Sequence, residues 1–160
     1  MSEILGTLFK YLLGLLAIVA VVVVLYEALS SNKVSTASAE VTTLQSNIAQ
    51  LYGGQASMAS LSNSVVVQAK AAPNSMVSGT TLLDPWSGPV TVQPDANPGQ
   101  FDIILTQLPQ SACNKLATAV SSYKQITING SADTSPADPG TIATQCTSGS
   151  NNQLQFTFSG

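Results

Sequence analysis

The chain has 160 residues, enough for one globular domain with an appended helix. Charged residues make up only 8% of it and the net charge is −3, from eight acids, five Lys and no Arg. That excludes the dense cationic face that binding to nucleic acid requires. His is absent, so the commonest general base and the commonest transition-metal ligand are both missing. No catalytic, cofactor or metal site is expected. The apolar residues concentrate before residue 27, and the remainder is rich in Ser, Thr, Asn, Gln, Ala and Gly.

Ile4 to Tyr26 reads ILGTLFKYLLGLLAIVAVVVVLY, 23 residues with a single charge, Lys10. As a helix it reaches roughly 35 Å, enough to cross about 30 Å of hydrocarbon. Lys10 can extend its amine along the helix toward lipid headgroups. A cleaved signal peptide would need a basic stretch ahead of the apolar run and a small-residue cleavage site behind it. Here the charge before Lys10 is the acidic Glu3, and the run leads without a break into more helix. Val34, Ala37, Val41, Leu44, Ile48 and Leu51 follow spacings of 3, 4, 3, 4 and 3, with Ser, Thr, Asn, Gln and Glu40 on the other faces. Gly53 and Gly54 end the pattern. The expectation is one helix of roughly fifty residues. Its first half, 1–26, is apolar all round and needs lipid or other helices on every side. Its second half, 27–52, needs a globular partner on one face. A coiled-coil dimer is the alternative for this seam, but three heptads are few and Ala37 leaves a shallow spot suited to a sheet.

Residues 53–160 are expected to form the globular head. SLSNSVVVQAKAAPNSM holds a short helix ending before Pro73. Val90–Gln93 and Phe101–Gln107 read as strands separated by the turn PDANPG. Pro109–Ser122 reads as a helix with Pro109 in its first turn. Gln125–Ile128 is a strand followed by the turn signal Asn129-Gly130. Residues 136–146 form a short helix, and Gln153–Phe158 is a final strand with Leu154, Phe156 and Phe158 on one face. The fold class is α+β: a long N-terminal helix packed against an antiparallel sheet with short helices.

Cys113 and Cys146 are too few for a zinc site. One disulfide in an oxidising compartment is the simpler reading, and two buried free thiols are the alternative. Asp95, Asp102, Asp133 and Asp138 show no paired or metal-ligand spacing, so turn or surface roles are expected. Ser and Thr are numerous, but a nucleophile needs a base. Asn129-Gly130-Ser131 matches a glycosylation sequon, for which the turn role suffices. Trp86, between Pro85 and Gly88, reads as a packing anchor in a loop.

Several phrases together resemble the type IV pilins, in particular the type IVb class that includes the bundle-forming pilin and the thin-pilus pilins of conjugative plasmids. The apolar helix opens on Met1 with an acidic residue close behind. LYGGQASMASL follows the helix, similar to LY-x-G-Q-x-S-x-x-x-L in that class. DPWSGPVTVQP is similar to its NP-aromatic-x-G segment. SACNKLAT and the later TQC hold half-cystines, Cys113 and Cys146, that bracket the C-terminal region. The similarity spans nearly the whole chain. It implies a structural protein, not an enzyme. A prepilin peptidase removes a leader, the new N-terminus is methylated, and assembly machinery moves the subunit from inner-membrane lipid into a surface homopolymer with its helices in the core. No basic leader ending in Gly precedes Met1, so the chain is expected to be already processed, with Met1 as the modified residue.

The class has Glu at the fifth position, facing the N-terminal amine of a neighbour. Here that position is Leu5, and the acid is Glu3. A carboxylate in a helical core still needs a cation, and the Met1 amine and Lys10 are available. Glu3 and Lys10 are seven residues apart, about 10.5 Å along a helix. They cannot pair within one helix but match between neighbours shifted axially by that distance. The bland alternative is a snorkelling lysine and a glutamate favoured by the helix dipole. Gly6 and Gly14 permit close helix approach or local unwinding. The expected function is polymerisation into an extracellular pilus serving adhesion, aggregation or mating contact. A minor pilin, a secretion pseudopilin, or a membrane-anchored periplasmic binding domain that does not polymerise are the alternatives.

Overall fold

The computed structural model describes every residue, Met1–Gly160. Helix α1 runs from Ser2 to Leu51 with no proline to interrupt it. Its four-valine run, Val21–Val24, has weak intrinsic helix propensity. Such residues tolerate a helix in apolar surroundings, where the backbone must satisfy itself. Hydroxyl side chains inside the helix do likewise: Thr7 Oγ1 donates to Glu3 O and Thr42 Oγ1 to Ser38 O, both at 2.8 Å. The helix ends at Leu51, and Gly54, in the turn that follows, takes φ +80°.

The chain divides into two compact units, Met1–Lys33 and Val34–Gly160. The first unit is helix only. Every side chain from Met1 to Leu29 is exposed, including the large apolar ones.

The second unit combines the last part of α1 with the globular head. After the last part of α1 come α2 (Asn63–Gln68), β1 (Val77–Ser78), β2 (Thr81–Leu83), β3 (Pro89–Pro94), β4 (Gln100–Leu108), α3 (Gln110–Ala119), β5 (Gln125–Ile128), β6 (Ser131–Thr134), α4 (Pro139–Gln145) and β7 (Asn152–Ser159). The seven strands form one antiparallel sheet in the order β1-β2-β3-β4-β7-β5-β6. The last strand therefore lies between β4 and β5. Period-two alternation puts Val90, Val92, Phe101, Ile103, Leu105, Ile126, Ile128, Leu154, Phe156 and Phe158 in the core. Ala37, Val41, Leu44 and Ile48 of α1 complete it from the helix side. That contact accounts for the apolar seam and leaves no face of it for a coiled-coil partner.

The seam differs from expectation at two positions. Leu51, its expected last member, is 44% exposed, and Tyr52 is buried instead with its hydroxyl 3.1 Å from Ser60 Oγ. Tyr52 still donates its backbone N–H to Ile48 O at 3.0 Å, so it keeps the helical phase and, four residues after Ile48, falls nearer the middle of the buried stripe than Leu51 does. Glu40, expected on a polar face, is only 7% exposed. It lies three residues after Ala37 and four before Leu44, inside the wide stripe that a globular partner covers. The strands β1, β2 and β6 are too short for their alternation to register in sequence. The helix expected over Pro109–Ser122 is shorter, with Pro109 as its N-cap and Val120 already extended.

Two devices fix the loops. Asp84, buried below Trp86, accepts from Trp86 N at 2.8 Å and Gly88 N at 2.9 Å through the same oxygen, Oδ1. A side chain at Gly88 would meet the carbonyl oxygen of Thr106 at 2.1 Å, so β4 requires glycine there. Trp86 packs against the core. In the C-terminal region Cys113 of α3 is bonded to Cys146 at the end of α4, across a sequence separation of 33, which leaves no free thiol. Asn152, fully buried at the start of β7, gathers the same region. Its Nδ2 donates to Leu108 O and Thr147 O, and its Oδ1 accepts from Thr147 N and Asn129 Nδ2.

Two outcomes are expected. Gly88→Ala costs the head about 1–3 kcal/mol or more through overpacking, read as a lower urea midpoint than the parent chain. Reduction, or joint Cys113→Ser and Cys146→Ser replacement, costs about 3–4 kcal/mol by freeing a long loop in the unfolded state. Comparing denaturation with and without reductant checks it; the double variant should show no further response to reductant.

Candidate functional site

The apolar surface of residues 1–29 is the largest feature of the chain with no cover of its own. Helix α1 is long and apolar enough to cross a membrane, and the most apolar stretch buries nothing within the chain. Exposed to water such a surface is unstable, since apolar area is driven out of water at about 25 cal/mol per Å². Its cover must be lipid or protein.

The polar points on this surface are few. Met1 precedes α1, and Glu3 lies in its first turn, where the helix dipole favours a carboxylate. Lys10 is on the same face as Glu3, one heptad further along. Two turns separate them, about 10.5 Å, so the structure does not bring them together within one chain. Glu3, Ile4, Thr7, Leu8 and Tyr11 line a shallow, mostly apolar depression. No atom would meet a Cβ at Gly6 or Gly14 within 4 Å; each leaves a gap in the side-chain cover of the helix.

The head offers no comparable chemistry. No group of three His, Cys, Asp or Glu is placed to hold a metal ion. Each carboxylate of the head has a structural partner. Asp138 Oδ2 caps α4 by accepting from Thr141 N at 2.9 Å. Asp95 Oδ1 accepts from Asn97 N at 2.7 Å in the β3–β4 turn. Asp133 accepts from Gln145 Nε2 at 2.7 Å. Asp102 departs from the expected turn or surface role: it is 3% exposed, and Thr157 Oγ1 donates to it at 2.7 Å from the adjacent strand. The amide of Asn129 is fully used in the β5–β6 turn: Nδ2 donates to Gln145 O and Asn152 Oδ1, and Oδ1 accepts from Gln153 N.

Two buried acids escaped sequence reasoning. Asp84 had no distinguishing spacing, and only the loop it organises reveals it. Glu40 had a usable signal in its position within the apolar stripe. Its Oε1 accepts from Ser75 Oγ at 2.5 Å, while Oε2 is buried without a hydrogen-bond partner. A buried carboxylate so sparsely satisfied weakens the head.

Comparison with known proteins agrees with this arrangement. The family model described as PilS N terminal matches residues 31–159. The type IVb pilin PilS from Salmonella typhi, solved by NMR, is similar with a TM-score of 0.56 and 26% identity, covering 79% of this chain and 96% of that one. The crystal structure of TcpA, a type IV pilin from the El Tor biotype of Vibrio cholerae, is similar in fold, with a TM-score of 0.59 and 14% identity over 80% of this chain and 99% of that one. No curated protein matches the sequence. With four-fifths of its length matched to one family and its fold matched to pilins, the chain belongs to the PilS family of type IVb pilins and is a structural subunit.

Proposed function

We propose that this chain polymerises into an extracellular type IVb pilus serving adhesion, aggregation or mating contact. The observation that carries the proposal is the uncovered apolar surface from Met1 to Leu29. Residues 1–26 first take inner-membrane lipid as their cover, and then the same segment of neighbouring copies. Residues 27–52 form the amphipathic half-helix, and residues 53–160 the head, with its disulfide-bounded C-terminal region. The partners are further copies of this chain, inner-membrane lipid, a prepilin peptidase and pilus assembly machinery, with N-terminal methylation following leader removal. Membership of a pilin family supports this, as does the likeness to two pilins.

In the filament, Glu3 of one copy meets Lys10 of a neighbour shifted along the axis by about 10.5 Å. In an apolar core a carboxylate and an amine that pair avoid the cost of leaving either unpaired. Gly6 and Gly14 admit close approach of the neighbouring helix.

Sheared surface material viewed by electron microscopy should contain filaments made of this one species. Trace amounts in fibres of another subunit would indicate a minor pilin, and absence of filaments a non-polymerising anchored domain. Lys10→Gln is expected to cut filament yield and salt resistance at least about tenfold by leaving the Glu3 carboxylate unpaired in an apolar core. Unchanged yield and resistance would remove the Glu3–Lys10 contact from the assembly.

A further inference from the structure

The first 33 residues carry four charged side chains, Glu3, Lys10, Glu27 and Lys33, alternating in sign along α1. All four are exposed. None has an opposite charge three or four residues away, the spacing at which side chains of one helix meet. Glu3 and Lys10 are seven residues apart, and Glu27 and Lys33 are six apart. Residues six or seven apart lie too far along the axis for a direct contact, about 9 or 10.5 Å. Each pair is therefore open within its own chain, and each has nearly the same spacing at opposite ends of the apolar segment.

We infer that Glu27 and Lys33 form a second intermolecular ion pair, and that with Glu3 and Lys10 it sets a single axial offset between parallel neighbouring copies of this chain. The inference rests on the filament reading above and extends it to residues beyond the apolar core. An offset of six to seven residues, about 9–10.5 Å, brings Glu3 level with Lys10 and Glu27 level with Lys33 together. The two spacings differ by one residue, about 1.5 Å, which the flexible four-carbon stem of Lys absorbs.

Competing registers are worse. At zero offset each charge meets its own copy. At 23 to 24 residues, about 35 Å, Lys10 lies level with Lys33 and Glu3 with Glu27, so both pairs repel. Offsets of 17 and 30 residues match one opposite pair each. Only the short offset satisfies all four charges. The two ends differ in their surroundings. Glu3 and Lys10 are set within apolar residues, whereas Glu27 and Lys33 border the Ser- and Asn-bearing stretch Ser30–Asn32. Salt therefore screens the outer pair more strongly than the inner one.

The test is a charge-swap cycle in the full chain, expressed with its assembly machinery: Glu27→Lys, Lys33→Glu, and the two together. Non-reducing gels of the membrane fraction confirm that each variant forms its Cys113–Cys146 bond. Each single swap should cut sheared filament yield about tenfold by placing like charges together. The double swap should return it to within about twofold of the parent. Raising salt should reduce the parent's advantage over the single swaps. Image reconstruction of parent filaments should show contacting helices offset by about 9–10.5 Å. Single swaps at parental yield, a double swap no better than the singles, or no contacting pair at that offset would overturn the inference while leaving polymerisation intact. A parent chain that makes no filaments would overturn the filament reading itself.

Discussion

The head depends on where its last strand goes. β4 and β5 do not pair with each other; β7 lies between them and pairs with both. Without β7 the sheet separates into β1–β4 and β5–β6. Phe156 and Phe158 of this strand also stand in the centre of the core, within ring-contact distance of Tyr123 and Phe101. The pairing of β4 with β7 joins residues about fifty positions apart, such as Asp102 with Thr157. Contacts this distant in sequence close a large loop before they are rewarded. The disulfide and the hydrogen bonds of Asn152 act in the same place, holding α3, α4 and the β5–β6 hairpin around the inserted strand.

The other unit obeys a different balance. Moving an apolar helix from lipid to a bundle of like helices gains little hydrophobic energy, because lipid tails are as apolar as leucine. Association then rests on packing and on the rare polar groups. This gives weight to features that would be minor on an ordinary surface: two glycines that leave gaps in the side-chain cover, and four charges in an otherwise apolar or uncharged stretch. A helix with no such marks would pack in any register. Alternating charges discriminate among registers, since each axial offset places a different set of them side by side.

The polar chemistry of the chain serves its fold. Its carboxylates in the head are spent on turns, a helix cap and a cross-strand pair, and they do not converge on one cleft. Glu40 keeps one buried oxygen, Oε2, without a hydrogen-bond partner. It stands on the helix beneath the segment carrying Ser75, on which its one hydrogen bond depends.

Much of this was legible from the sequence because it depends on local patterning. Uninterrupted apolar residues specify the first half of α1, and a three-four periodicity specifies the second. Alternation marks β3, β4, β5 and β7, and Asn129-Gly130 marks a turn. What local pattern does not contain is partner choice. Strands of two to four residues, β1, β2 and β6, have too little alternation to be seen and exist because a neighbour supplies their hydrogen bonds. The insertion of β7, the burial of Tyr52 in place of Leu51, and the burial of Glu40, Asp84 and Asp102 were decided by tertiary structure. Each depends on which distant backbone or side chain comes to lie alongside. The sequence by itself determined a long helix of two characters and a small α+β head; the tertiary structure decided how the head closes, because closure joins residues that no short window contains.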